Sequence, residues 1–229
     1  VRPFALWAHE ARRAGLPALL GPLVLVAAML LLAAFGTRIG SAQENTRWFL
    51  MGAAEMGLPL LTGVAAATLT GRDRAAELRL TCPSAYRVAV ARRVAVVVCW
   101  AAVCAAGCSL LLMATGWWDP AFTGPSGQLV WLSPALWTAA LGACTAAMFR
   151  SVAAATTLIG FLWTFQQVFA GFLVEDRVLR HVFLFATTRG PVPDWPANRV
   201  ALLASAVPMG LAAWVLLGRP ERILRGAAE

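Results

Sequence analysis

The sequence predicts an all-α, polytopic membrane protein, and three observations carry that prediction. The 229 residues are 60% hydrophobic and only 13% charged, whereas an ordinary soluble domain is nearer half apolar and a quarter charged. Six apolar stretches approach the ~20 residues that cross a bilayer as a helix: Pro17–Gly36, Phe49–Thr70, Val94–Thr115, Leu129–Phe149, Val152–Val174 and Val200–Gly218. The arginines are unevenly shared between the links. With both termini placed inside, the inner segments hold 13 of the 19 basic residues, and the outer ones hold the other 6: Arg38, Arg47, Arg177, Arg180, Arg189 and Arg199. Excess arginine in short loops marks the cytoplasmic side, so the net charge of +8 reads as a topology signal and not as a nucleic-acid footprint. Every basic residue is arginine, and without a lysine the chain carries no Walker A site of its own. With no internal repeat or linker, residues 1–229 form a single transmembrane domain.

Residues 1–16 precede the first span and have their own pattern. Phe4, Trp7, Ala8 and Ala11 recur at helical spacing, with Glu10, Arg12 and Arg13 elsewhere on the wheel. This is the pattern of an amphipathic interfacial helix anchored by Trp7. The first span is longer than the 7–15 residues of a signal-peptide core. Its link to span two is short and polar. The link from Gly116 to Gln128 places Trp117 and Trp118 at the interface, followed by a Pro/Gly turn. Arg150 and Ser151 alone join spans four and five as a tight inner hairpin. The outer loop 175–199 is long; Val178, Leu179, Val182, Phe183 and Phe185 predict a short apolar helix on or dipping into the outer leaflet, before Gly190, Pro191, Pro193 and Pro196 break regular structure.

The inner segment 71–93 reads GRDRAAELRLTCPSAYRVAVARR. Ala75 to Leu80 are good helix formers. Cys82-Pro83 ends that helix, because the residue before proline disfavours the helical region. Ser84 then caps a second helix running into span three. A short helix with an acidic residue among arginines thus lies across the inner mouth of the domain, where it is placed to transmit motion to a cytoplasmic partner.

On these residues the chain resembles the membrane subunits of ABC-2 type exporters. Glu77-Leu78, Leu80, Pro83-Ser84 and Arg92 match the pattern of that family's inner loop; Ala75-Ala76 and Arg79 depart from it. The N-terminal helix, the six-span layout and the long outer link before the last span extend the likeness along the chain. The resemblance implies a permease subunit in a bacterial inner (cytoplasmic) membrane, consistent with arginine-only, alanine-rich usage. It further implies a second permease subunit, the same chain or a different one, and separate ATPase subunits that bind ATP and Mg. This chain would then bind no cofactor and hydrolyse nothing itself. Arg74 to Leu80 would be the coupling helix, with Glu77 pairing a group on the ATPase, Leu78 and Leu80 giving apolar contact and Pro83 setting the angle into span three. On the alternative, Glu77 pairs with Arg74 or Arg79 on a solvated surface. The substrate class implied is amphiphilic, such as a drug, peptide antibiotic or lipid; haem or polysaccharide are the family's other cargoes.

Within the spans, Glu55 is the one ionisable side chain placed well inside. Intramembrane carboxylates are costly and mark functional sites. Glu55 lies on a stripe with Gly52, Pro59, Thr62 and Ala66, and span five carries a comparable stripe of Thr156, Gly160, Trp163, Gln167 and Gly171, with Gln166 beside it. Glu55, Gln166 and Gln167 fall at matching depth. Glu55, Thr62, Thr156, Trp163, Gln166 and Gln167 are therefore the candidates for a translocation path or subunit contact. The other readings are an interfacial Glu55 snorkelling to water, and plain helix packing by the small residues.

Two further chemistries compete with this reading. Gly124-Pro125-Ser126-Gly127 matches the G-x-S-G of rhomboid-like intramembrane serine proteases, but a serine needs a base, and the last span has no histidine. A channel or scaffold lacks use for the coupling-type loop. Cys82, Cys99, Cys104, Cys108 and Cys144 form no C-x-x-C and read as small membrane cysteines, with no metal site.

Overall fold

A computed structural model of the protein describes residues 3–38, 43–71, 86–189 and 194–219. These are almost entirely helical, and no strand occurs among them. The helices are α1 (Pro3–Ala14), α2 (Leu16–Arg38), α3 (Gln43–Gly52), α4 (Leu58–Gly71), α5 (Tyr86–Ala114), α6 (Leu129–Phe149), α7 (Val152–Val168), α8 (Ala170–Glu175) and α9 (Trp195–Leu217). A π-helical turn, Ala53–Gly57, joins α3 to α4. Among the described residues, five helical runs are long and apolar enough to cross a membrane: Leu16–Gly36, Glu44–Gly71, Tyr86–Ala114, Pro125–Phe149 and Trp195–Leu217. The chain is thus an all-helical protein with the make-up of a membrane domain. The stretch foreseen as one span over Val152–Val174 is broken: α7 ends at Val168, and α8 restarts after Phe169. The coupling-helix residues Arg74, Glu77, Leu78, Leu80 and Pro83 lie outside the described residues.

Local chemistry explains the breaks. Gly15, at φ +86°, separates α1 from α2, a left-handed helix end that glycine adopts without a Cβ penalty. Between α6 and α7, Arg150 takes the left-handed conformation as C-cap, and Ser151 accepts a hydrogen bond from the Ala154 amide as N-cap. Two residues therefore suffice for the predicted hairpin.

Helix α6 is central and packs against α4 on one side and α9 on another. The stripe Gly52, Pro59, Thr62 and Ala66 is buried, and from Pro59 onward it is the α4 side of the α4–α6 seam. There a Cβ built on Gly142 would run into the Gly63 carbonyl. Only small residues allow backbones this close. Thr62 and Thr138 bridge the seam: the Thr62 hydroxyl donates toward the Ala135 carbonyl at 3.2 Å, and the Thr138 hydroxyl donates to the Pro59 carbonyl at 2.6 Å. Helix α1 is fastened to α5 by Glu10, whose carboxylate receives Arg93 Nε at 2.6 Å, both side chains largely buried. At that same end the Arg87 guanidinium lies 4.8 Å from the Trp214 ring centre. At the opposite end Arg47 donates from Nε and Nη2 to the Gly116 carbonyl, at 2.9 and 2.6 Å, closing the carboxyl end of α5.

Candidate functional site: a buried carboxylate under a folded link

Glu55 sits in the π-helical turn and has no exposed surface. The local sequence accounts for the turn. Pro59 has no N–H to offer the carbonyl four residues back, which is that of Glu55, and a helix absorbs such a loss by a local kink or π-bulge. Side chains from α6 and α7, and one from α4 itself, take up carbonyls in and next to this widened region. Trp163 Nε1 donates to the Met56 carbonyl at 3.0 Å, Thr62 donates to Leu58 at 3.0 Å, and Thr138 donates to Pro59. Such turns recur at functional sites.

The carboxylate is fully engaged. Its Oε1 accepts the Thr187 amide at 3.1 Å, the Thr187 hydroxyl at 2.6 Å, and Arg199 Nη2; its Oε2 accepts the Thr188 hydroxyl. Arg199 is likewise wholly buried, and its Nη1 donates to the Leu184 carbonyl at 2.9 Å. A buried ion pair is tolerable only when good geometry and further hydrogen bonds satisfy the ions; the donors from 187 and 188 do so for the carboxylate, and the Leu184 carbonyl takes Arg199 Nη1, while Arg199 Nε has no partner among the described residues. The snorkelling reading of Glu55 is thereby overturned: the side chain faces the protein interior, not the interface.

What surrounds the pair is the link between α8 and α9. Phe183, Leu184, Phe185 and Ala186 are 0–1% exposed and form a core cluster with Leu173 and Leu202, against Met56, Trp137 and Trp163. Phe185 meets the Trp163 ring edge-on at 5.9 Å and Phe183 at 5.8 Å. Backbone polar groups in such a setting need partners, and polar side chains provide them. Gln166 accepts the Leu184 amide at 2.8 Å. Asn198 Nδ2 donates to the Arg180 and Phe183 carbonyls at 2.7 and 2.9 Å. Farther out, Asp176 accepts the Val178 and Leu179 amides, both at 2.8 Å, and those two bonds hold its carboxyl below the usual carboxylate range. Gln167 accepts Arg189 Nε at 2.9 Å, and the Arg189 guanidinium stands 5.8 Å from the Trp48 ring.

The six sequence candidates therefore separate. Glu55, Gln166 and Trp163 come together around the folded link, and Gln167 holds its far end. They do not face one another across an open channel; the link lies between them. Thr62 serves the α4–α6 seam. Thr156 donates to its own turn, to Val152 at 2.9 Å. Arg199 is not among the six: in the sequence it reads as a loop charge, whereas α9 begins at Trp195 and carries it. The signal was present: Asn198-Arg199 opens an apolar run, with Glu55 the lone opposite charge at similar depth. Ser126 lies exposed in a short 3-10 turn, while the His181 ring engages the Arg177 carbonyl. Among the described residues Cys99, Cys104, Cys108 and Cys144 are unpaired. Compared with protein families, curated proteins and solved structures, the chain matches none.

Proposed function

We propose that this chain is the membrane-spanning permease subunit of an ATP-driven ABC-2 type exporter. The observation that carries the reading is the inner segment Glu77-Leu78, Leu80, Pro83-Ser84 and Arg92, which falls between two helices of membrane-crossing length, Glu44–Gly71 and Tyr86–Ala114. In this reading α7, Phe169 and α8 together make a sixth crossing, since the composite reaches the ~20 residues a bilayer requires. Helix α1 lies along the inner surface, both termini are cytoplasmic, and a second permease subunit and two ATPase subunits complete the transporter in a bacterial inner membrane. The cargo is an amphiphile. The Glu55–Arg199 centre holds the outer link inside the bundle while cargo loads from within, and release of the link opens the outer end. Glu77 is the coupling residue: desolvated charge pairs at interfaces cost several kcal/mol when one partner is removed.

The test is retention of the ATPase. Glu77→Arg should remain in the membrane, lose transport and lose co-purification with the ATPase subunit. Normal transport and normal retention in that variant would remove the reading's support. Cysteines introduced singly at Arg79 and Asp194, in a background lacking native cysteines, test the topology: an impermeant reagent should label position 194 and spare 79 in intact cells.

A further inference from the structure

A groove of about 210 Å³ opens between the first turns of α2, residues 61–68 of α4 and the middle of α5 at Val97 and Ala101. It is almost wholly apolar, and its walls are small: Ala18 and Gly21 of α2, Ala65 of α4 and Ala101 of α5. An unfilled apolar space forfeits dispersion contacts on every wall, and cavities of about 150 Å³ already take up apolar molecules. The groove lies among helices whose outward residues, Leu16, Leu20 and Val24, are 71%, 48% and 66% exposed, so in a bilayer its natural contents are acyl chain.

A second feature gives the occupant a headgroup. Ala14, the last residue of α1, packs with Leu69 and Val97 and against Ala18 and Ala65; Val97, Ala18 and Ala65 are groove wall. The end of α1 therefore closes on the end of the groove. The two residues before Ala14 are Arg12 and Arg13, both exposed, and neither has an ion-pair partner among the described residues. Glu10, the acid nearest in sequence, is already taken by Arg93. Two exposed arginines without an ion-pair partner among the described residues thus lie one and two positions before the residue that meets the end of the groove. Basic pockets between membrane helices hold anionic lipid headgroups.

We infer that the α2–α4–α5 groove is a binding site for one anionic phospholipid, with an acyl chain against Gly21 and Ala65 and its phosphate on Arg12 and Arg13. The inference needs only that these helices lie in a bilayer and is independent of the exporter reading. The test is native mass spectrometry of the full chain released from nanodiscs of equal phosphatidylglycerol and phosphatidylcholine. One phosphatidylglycerol adduct should survive release on the parent protein. Replacing both arginines, Arg12→Ala with Arg13→Ala, should weaken it about 30-fold, at ~1 kcal/mol per basic residue near the anionic group. Gly21→Leu has open space for its side chain, with Leu61 the nearest atom at 3.6 Å from a built Cβ; it should abolish the adduct. Should Gly21→Leu not fold, the arginine pair and Ala65→Leu decide. Equal retention of the two lipids, or an adduct indifferent to both the arginine and the groove changes, overturns the site. Association of two copies through α2 with no lipid adduct overturns it equally.

Discussion

Glu55 and Glu10 each bind an arginine, at opposite ends of the bundle, and the two pairs differ in what they hold. Glu55 lies 16 residues before Gly71, about 24 Å along the helix from the end where Glu10 meets Arg93. The Glu10 pair joins two helices at their rim, with side chains 12% and 6% exposed. The Glu55 pair has no exposure, and its carboxylate gathers donors from a helix and from the link. Glu10 staples one element to another; Glu55 holds an otherwise irregular segment inside a helical bundle. Irregular backbone at membrane depth is tolerated only where protein satisfies it. Residues 183–188 meet that condition through Glu55, Gln166, Asn198 and Arg199.

The comparison can be broken most forcefully at Glu55. Glu55→Ala leaves Arg199 buried with the Leu184 carbonyl and strands the Thr187 and Thr188 donors. Loss of one partner of a buried pair costs about 3–5 kcal/mol, visible as a lowered midpoint of thermal unfolding in detergent. Arg199→Met should cost less than Glu55→Ala, because the carboxylate keeps its three donors from Thr187 and Thr188. A reversed order would mean that the guanidinium, not the carboxylate, organises the site.

Pure packing gives the next effect. Gly142→Val drives a side chain into the Gly63 carbonyl, and overpacking of this kind costs about 1–3 kcal/mol. It should lower the unfolding midpoint without exposing the α8–α9 link. At the other end, Glu10→Gln removes a charge but keeps an acceptor for Arg93, so about 1 kcal/mol is expected, read as faster proteolysis within α1 with the link unchanged. The smallest effect lies at Asp176. Its carboxyl is held low by the Val178 and Leu179 amides, so its capping contribution is present above the usual carboxylate range and is lost as pH falls through the lowered value. The Leu179 amide resonance should titrate there, and Asp176→Asn should abolish that titration.

The helices were legible because membrane spans announce themselves by length and apolarity, and Glu55 was legible because a carboxylate in such a run stands out. Arg199 was not, because a charge near the end of an apolar stretch looks the same whether it ends the helix outside or begins it inside. The α8–α9 link was half legible. Phe183 and Phe185 belong to the predicted apolar segment and are buried, but Val178, from the same run, is 75% exposed. The alternation between them depends on which residues meet Trp163 and Leu202, a tertiary fact. The break at Phe169 has no proline or glycine at that residue to mark it. The π turn had two hints, Gly57 and Pro59, whose joint effect on carbonyl pairing becomes clear only with Trp163 and Thr138 in place.

The central claim is that the Glu55–Arg199 pair keeps the α8–α9 link inside the bundle, and thiol accessibility tests it most directly. Ala186 is fully buried in the link, and Ala186→Cys is a small change there. In nanodiscs, with the native cysteines replaced by alanine, a water-soluble maleimide should leave position 186 unlabelled while the pair is intact. It should label that position rapidly once Glu55→Ala is added. Protection of position 186 in the Glu55→Ala background would show that the link stays buried without the pair and would contradict the claim.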